Sequence, residues 1–268
     1  AANTTAGYNV AVGYAAALSN TTGQYNTAIG TESLRSNTTA SNNTAVGYQA
    51  GYSNTTGAIT ALGFYAGRGN TIGDGNTAIG QSSLSTNTTG NYNTAIGYLC
   101  GGSLTSSNNT LMGTFCGTGI TTGADNTIIG RSSGTNTTTG SNNAVLGTVA
   151  FLANTTGSNN TAIGLNALYS NTTASNNTAV GYQAGYSGTT ATQNTYVGVQ
   201  SGYGTTGSGF NTAVGAYTLA TSGSGQENVA IGQSALNANT SGSYNVAVGR
   251  QALVSNTTAT GNTGLGHQ

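Results

Sequence analysis

The sequence predicts an all-β chain: a parallel β-solenoid of about sixteen 17-residue coils, with residues 1–268 forming one tandem-repeat array. Three columns of residues carry the prediction. Glycine recurs from Gly13, Gly30 and Gly47 to Gly249 and Gly266, at spacings of 17 residues except for two of 16. The residue before each of these sixteen glycines is aliphatic or Met, from Val12 and Ile29 through Met112 to Val248 and Leu265. Asn stands four residues before the glycine at fifteen of the sixteen positions, with Ile59 the exception. A disordered polar tract has no reason to hold an apolar column in register over the whole chain, whereas a stacked core does.

Within one unit, the consensus Asn-Thr-Ala-(Ile/Val)-Gly opens with a stretch too short for a helix and rich in Thr, Val and Ile, which reads as a strand. A second short stretch follows the glycine. Its third position holds small residues, among them Ala16, Ser33, Ala50, Cys100 and Cys116, which predicts a second strand and two sheets packed closely in a thin coil. Asn-Thr-Thr-Gly then supplies the turn, because Asn and Gly tolerate positive φ. Stacking at about 4.8 Å per coil would give a rod roughly 75 Å long. The Asn column would form a hydrogen-bonded ladder along it.

Composition narrows the function. Only 3% of the 268 residues are charged, four Arg balance four acids, and there is no Lys, Pro or Trp. Nothing steers such a chain to nucleic acid or an anionic membrane. No apolar run approaches the roughly 20 residues of a membrane helix, and no signal peptide opens the chain. It starts inside a unit near Asn3-Thr4-Thr5 and stops just after Gly264-Leu265-Gly266, as expected of part of a longer fibre.

Chemistry is sparse. The single His is His267, and Glu32, Asp74, Asp125 and Glu227 are dispersed along the repeat. The many Ser and Thr hydroxyls have no base to activate them, so no catalytic residue, metal site or cofactor is expected. Cys100 and Cys116 occupy equivalent positions in consecutive coils and should stack, either as a disulfide or as two small buried thiols. Tyr14, Tyr48, Tyr98 and Tyr182 follow the repeated glycine and could present rings to a sugar or to a neighbouring rod. Asn20, Asn37, Asn54, Asn87, Asn136, Asn154, Asn171 and Asn256 lie in Asn-x-Thr acceptor patterns on expected surface turns, and the adjoining Thr are O-linked candidates.

The repeated Asn26-Thr27-Ala28-Ile29-Gly30, found again as Asn76-Thr77-Ala78-Ile79-Gly80 and Asn93-Thr94-Ala95-Ile96-Gly97, resembles the Ala-Ile-Gly repeats of trimeric autotransporter adhesin heads and similar repeats of phage-type tail fibres. The unit here is longer than the typical head repeat. The resemblance implies a parallel β-roll, trimerisation and a location outside the cell or on a cell or virion surface. Together these readings lead to the expectation of a non-catalytic structural component of an extracellular fibre, open to glycosylation at its turns, that associates with itself as a trimer or end to end. The alternative is an adhesin or tail-fibre module that binds a surface receptor or glycan. Ice binding by Thr ladders is disfavoured, because the Thr pairs lie in turns.

Overall fold

The computed structural model describes residues 5–207, 209–221 and 223–267, so Asn3 and Thr4 of the opening unit lie outside the described residues. The chain divides into two compact units, Ala1–Arg131 and Ser132–Gln268. The first holds β1 (Val10–Val12), β2 (Thr27–Ile29), β3 (Thr44–Val46), β4 (Ile59–Leu62), β5 (Asn76–Ile79), β6 (Thr94–Ile96), β7 (Thr110–Met112) and β8 (Thr127–Ile129). The second holds β9 (Ala144–Leu146), β10 (Thr161–Ile163), β11 (Thr178–Val180), β12 (Thr195–Val197), β13 (Thr212–Val214), β14 (Val229–Ile231), β15 (Val246–Val248) and β16 (Thr263–Leu265). In each unit successive strands pair in parallel and in register, Ala28 against Ala45 in the first and Ala162 against Ala179 in the second. The fold is a parallel β-solenoid, one strand per coil, and the described residues contain no helix. Both 16-residue coils keep this register, with Ala45 opposite Ala61 and Ala95 opposite Leu111.

Two expectations are corrected here. The aliphatic column before the glycine is not the core. A strand alternates its side chains, and the residue turned inward is the central one, fully buried at Ala28, Ala78 and Ala162. Its neighbours Ile29 and Ile163 therefore face outward, and each remains 38–39% exposed. The coil is too thin for a large side chain at every central position, so Ala takes the inside and the aliphatic residue the outside.

The second apolar stretch is not a strand. It is a run of turns in which alternate residues adopt left-handed backbone, such as Glu32 (φ 59°) and Leu34 (φ 46°). Inter-coil hydrogen bonds nevertheless continue through it: the Leu34 N–H donates to the Ala50 carbonyl at 3.0 Å, while the Glu32 N–H donates to Tyr14 on the other side at 2.8 Å. Left-handed backbone costs a Leu about 1–2 kcal/mol. Complete burial of its side chain, worth about 1.5–3 kcal/mol, offsets that cost.

The interior has an apolar and a polar half. In the apolar half, bulk on one coil is matched by glycine on the next. A Cβ on Gly51 would come within 2.9 Å of Leu34 Cδ2, and one on Gly67 within 2.4 Å of Ile59 Cδ1. Tyr196, the one aromatic residue at a central strand position, lies between Gly185 and Gly202, where added Cβ atoms would meet its ring at 2.9 and 2.3 Å. The repeated glycine has a separate reason. Gly97 adopts φ 137°, and its added Cβ would stand 2.4 Å from the Gly113 carbonyl oxygen one coil away.

The polar half consists of two buried Asn ladders. In the first, Asn26 Oδ1 accepts both the backbone N–H and the Nδ2 of Asn43, each at 2.9 Å. In the second, Asn37 Nδ2 donates to Asn20 Oδ1 at 2.9 Å. The ladders converge on the turn between them, because the Ala40 carbonyl accepts from Asn26 Nδ2 at 2.9 Å and from Asn37 Nδ2 at 3.0 Å. The Ala174 carbonyl is held in the same way by Asn160 and Asn171. At Ile59 the first ladder keeps only its backbone rung, with the Ile59 N–H donating to Asn43 Oδ1 at 2.7 Å.

Candidate functional surface

All the predicted modification sites except Asn136 sit on the second ladder, and for these the expected placement on surface turns is corrected. Asn20, Asn37, Asn54, Asn87, Asn154 and Asn171 are buried. Their Nδ2 atoms, where an N-linked sugar would be attached, instead donate inside the coil, as from Asn87 to the Gly90 carbonyl at 2.9 Å and from Asn171 to Asn154 Oδ1 at 3.0 Å. Asn256 makes the same two kinds of bond while half-buried. Asn136 is exposed, because Thr137 takes the interior position in that coil. The turn does expose its second Thr, such as Thr22, Thr39 and Thr156, while the first closes a hydroxyl ladder, Thr155 Oγ1 donating to the Thr172 carbonyl at 3.0 Å.

Cys100 and Cys116 stack as expected and are free, buried thiols, not a bridge. Cys116 Sγ lies 3.1 Å from the Ile128 carbonyl. A hydrogen bond with Cys116, reinforced by burial, raises the Cys100 thiol well above its ordinary range. Buried thiols of this kind are unreactive.

The acidic residues serve the turns and the surface. Asp74 Oδ1 accepts the Ala58 N–H at 2.9 Å, and Glu32 pairs with Arg35 at 3.5 Å. His267 Nε2 lies 3.1 Å from Arg250 Nη1 in an exposed pair. Among the described residues no three His, Cys, Asp or Glu gather as metal ligands would, and no helix is long and apolar enough to cross a membrane.

The outer surface carries the remaining features. In both units the column before the repeated glycine is never buried, and it includes Leu62 and Met112 in the first unit and Leu146, Ile163 and Ile231 in the second. It contains no charged residue. Beside it the column after the glycine exposes Tyr48, Phe64 and Tyr98 in the first unit and Leu165, Tyr182 and Val199 in the second. A folded monomer seldom leaves so regular an apolar surface open.

Rings also ladder. Tyr169, Tyr186 and Tyr203 stack with centroids 5.0 Å apart and planes within 8°. Desolvation among these rings, followed by the neighbouring phenols, raises the Tyr186 hydroxyl above its ordinary value. Stacking of this kind covers the ring faces that a sugar would need, leaving edges. Tyr182, singled out from the sequence, has no ring within stacking distance among the described contacts.

In the first unit three consecutive coils gather charge and aromaticity. Gln49 Nε2 donates to Glu32 Oε2 at 2.6 Å, and Arg68 Nε donates to Gln49 Oε1 at 2.9 Å. Arg35 Nη1 donates to the Tyr52 hydroxyl. The Arg35 and Arg68 guanidinium carbons lie 5.5 and 5.8 Å from the Tyr52 centroid, and Arg68 also lies 4.8 Å from Tyr65. Tyr48 stacks on Phe64 at 5.3 Å, and Phe64 tilts against Tyr65 at 4.0 Å. Partial desolvation, then repulsion from Tyr65 and Glu32, raises the Tyr48 phenol.

Of this group Tyr48 was expected from the sequence, whereas the arginines, Gln49 and Phe64 were not. The signal was available. Aligned on the repeated glycine, Glu32, Gln49 and Tyr65 fall in one column and Arg35, Tyr52 and Arg68 in another. Column by column, fold and surface define a tandem-repeat β-solenoid with an apolar outer face. No known protein family matches the chain, and no curated protein matches it.

Proposed function

We propose that the protein is a non-catalytic structural component of an extracellular fibre, built by lateral association of its own copies. One observation carries this reading: an uncharged apolar column runs in register along the outer face of each unit and is buried at no coil. Such a column is costly to leave in water and is repeated so that one copy can match another over many coils. The near absence of charge on the chain removes repulsion between like copies. The likeness of the Asn-Thr-Ala-(Ile/Val)-Gly units to adhesin-head and tail-fibre repeats supports the same assignment and a location outside the cell.

Sedimentation velocity and cryo-electron microscopy test the proposal. The wild-type chain should form laterally associated assemblies, whereas Ile163→Arg combined with Val197→Arg should yield monomers with an unchanged circular dichroism spectrum. A wild-type chain that stays monomeric at its highest soluble concentration would sink the reading. A second reading, a module that binds a surface glycan, is favoured by the cluster of guanidinium groups and rings around Tyr52 and Tyr65.

A further inference from the structure

The geometry points to a binding site for an acidic saccharide, a pyranose carrying a carboxylate, at Arg68, Phe64 and Tyr48 in the first unit. The inference gives the glycan-binding reading a ligand class and rests on that reading, not on fibre assembly. Eight charged residues serve the entire chain, and three of them, Glu32, Arg35 and Arg68, meet within three coils. With one carboxylate against two guanidiniums, the patch carries a local charge of +1 (−1 + 1 + 1) on a protein whose formal net charge is zero. That imbalance favours an anion.

The groups are also fixed in place. Glu32 engages Arg35 through Oε1 and Gln49 through Oε2, so its charge is turned inward. Gln49 is buried and orients Arg68 by accepting from Nε. The Tyr65 ring supports the Arg68 guanidinium at 4.8 Å. This arrangement engages only Nε, and the two terminal amino groups of the exposed Arg68 are left as a fork matched to a carboxylate. Beside that fork the stacked rings of Tyr48 and Phe64, 40% and 43% exposed, present their outer edges as an apolar rim for the C–H groups of a sugar ring. A neutral sugar would use the rings and leave the fork unpaired. A carboxylated sugar uses both.

Calorimetric titration with tetragalacturonate, and with maltotetraose as the neutral counterpart, decides the matter, run on the wild-type chain and on the assembly-deficient Ile163→Arg/Val197→Arg variant. Tetragalacturonate should bind both proteins in a salt-sensitive manner, and maltotetraose should bind neither. Arg68→Gln should weaken tetragalacturonate binding about tenfold or more, in line with loss of a bidentate charge-assisted pair. Phe64→Ala should weaken it as well, and Tyr182→Ala in the second unit should not, each with an unchanged thermal melt. The proposal is overturned if tetragalacturonate fails to bind, if it binds with Arg68→Gln as it does with wild type, or if maltotetraose binds equally well. Binding of tripolyphosphate as tight as that of tetragalacturonate would show a simple anion patch and would also overturn it. Failure of Ile163→Arg/Val197→Arg to disrupt assembly would count against the fibre reading alone.

Discussion

A single buried amide ties this fold together across adjacent coils. The Asn160 side chain and backbone N–H make five bonds: the N–H and Nδ2 donate to Asn143 Oδ1 at 3.0 and 3.2 Å, Nδ2 also donates to the Ser158 and Ala174 carbonyls at 3.2 and 2.9 Å, and Oδ1 accepts the Asn177 N–H at 3.0 Å. Removing the side chain leaves the Asn177 N–H buried without a partner and the Ala174 carbonyl with its bond from Asn171 alone. Asn160→Ala should therefore lower the unfolding free energy by about 1–3 kcal/mol, as read from chemical denaturation. Asn160→Asp is predicted to be at least as damaging at neutral pH, because an ionised carboxylate cannot donate to Ala174 and is itself buried. An Asp variant as stable as wild type would remove the ladder from the account of stability. The same burial explains why an Asn-x-Thr pattern is a poor guide here, since the amide that would carry a glycan is the one the coil uses.

At the level of the element, each coil is a three- or four-residue strand followed by a long turn, and its packing is set by pairs of residues on adjacent coils. Gly202 exists because Tyr196 fills the space its side chain would need. Gly202→Ala in the wild-type background should cost well over the roughly 1–2 kcal/mol of left-handed strain alone, and in a Tyr196→Ala background only about that strain. A double-mutant cycle with additive costs would contradict direct packing between the two. The period, the strand and the Asn ladder were legible in the sequence, because each is a column of one residue type. Which side of the strand faced in was not. Ala and Ile are both apolar, and the choice between them follows from coil thickness, a property of the assembled stack. The second stretch misled for a related reason: its adjacent Ser33 and Leu34 are both buried, which strand alternation forbids and the left-handed backbone of Leu34 allows. The Arg–Tyr cluster was hidden for a simpler reason, since its members are some 17 residues apart and meet only when coils stack.

In each unit, stability accumulates coil by coil from nearest-neighbour contacts, and charge contributes little to it. With four acids and one His, the melting temperature should stay nearly constant between about pH 4 and 9. Alkali should act differently. Tyr196 is held above its ordinary phenol value of 10.0 chiefly by burial, and Cys100 above its ordinary thiol value of 9.0, so the folded state favours both neutral forms. Their contribution is present below those ordinary values and is lost as pH rises through and beyond them, when the unfolded chain releases its protons first. Tyr196→Phe should flatten this alkaline fall in thermal melts. It should cost little at neutral pH, because the buried Tyr196 hydroxyl makes no well-formed hydrogen bond to the Thr205 and Asn211 side chains beside it. An identical alkaline limb in the variant would assign the effect elsewhere. The matched pairs of bulk and glycine carry a last consequence. A chain built from near-copies of one unit risks threading itself one coil out of step, since Asn would still meet Asn and Ala would still meet Ala. The match of Tyr196 to Gly185 on the preceding coil does not survive such a shift, because a slipped Tyr196 meets Leu168 where it needs glycine. These irregular coils are the notches by which a self-similar polymer keeps count of itself.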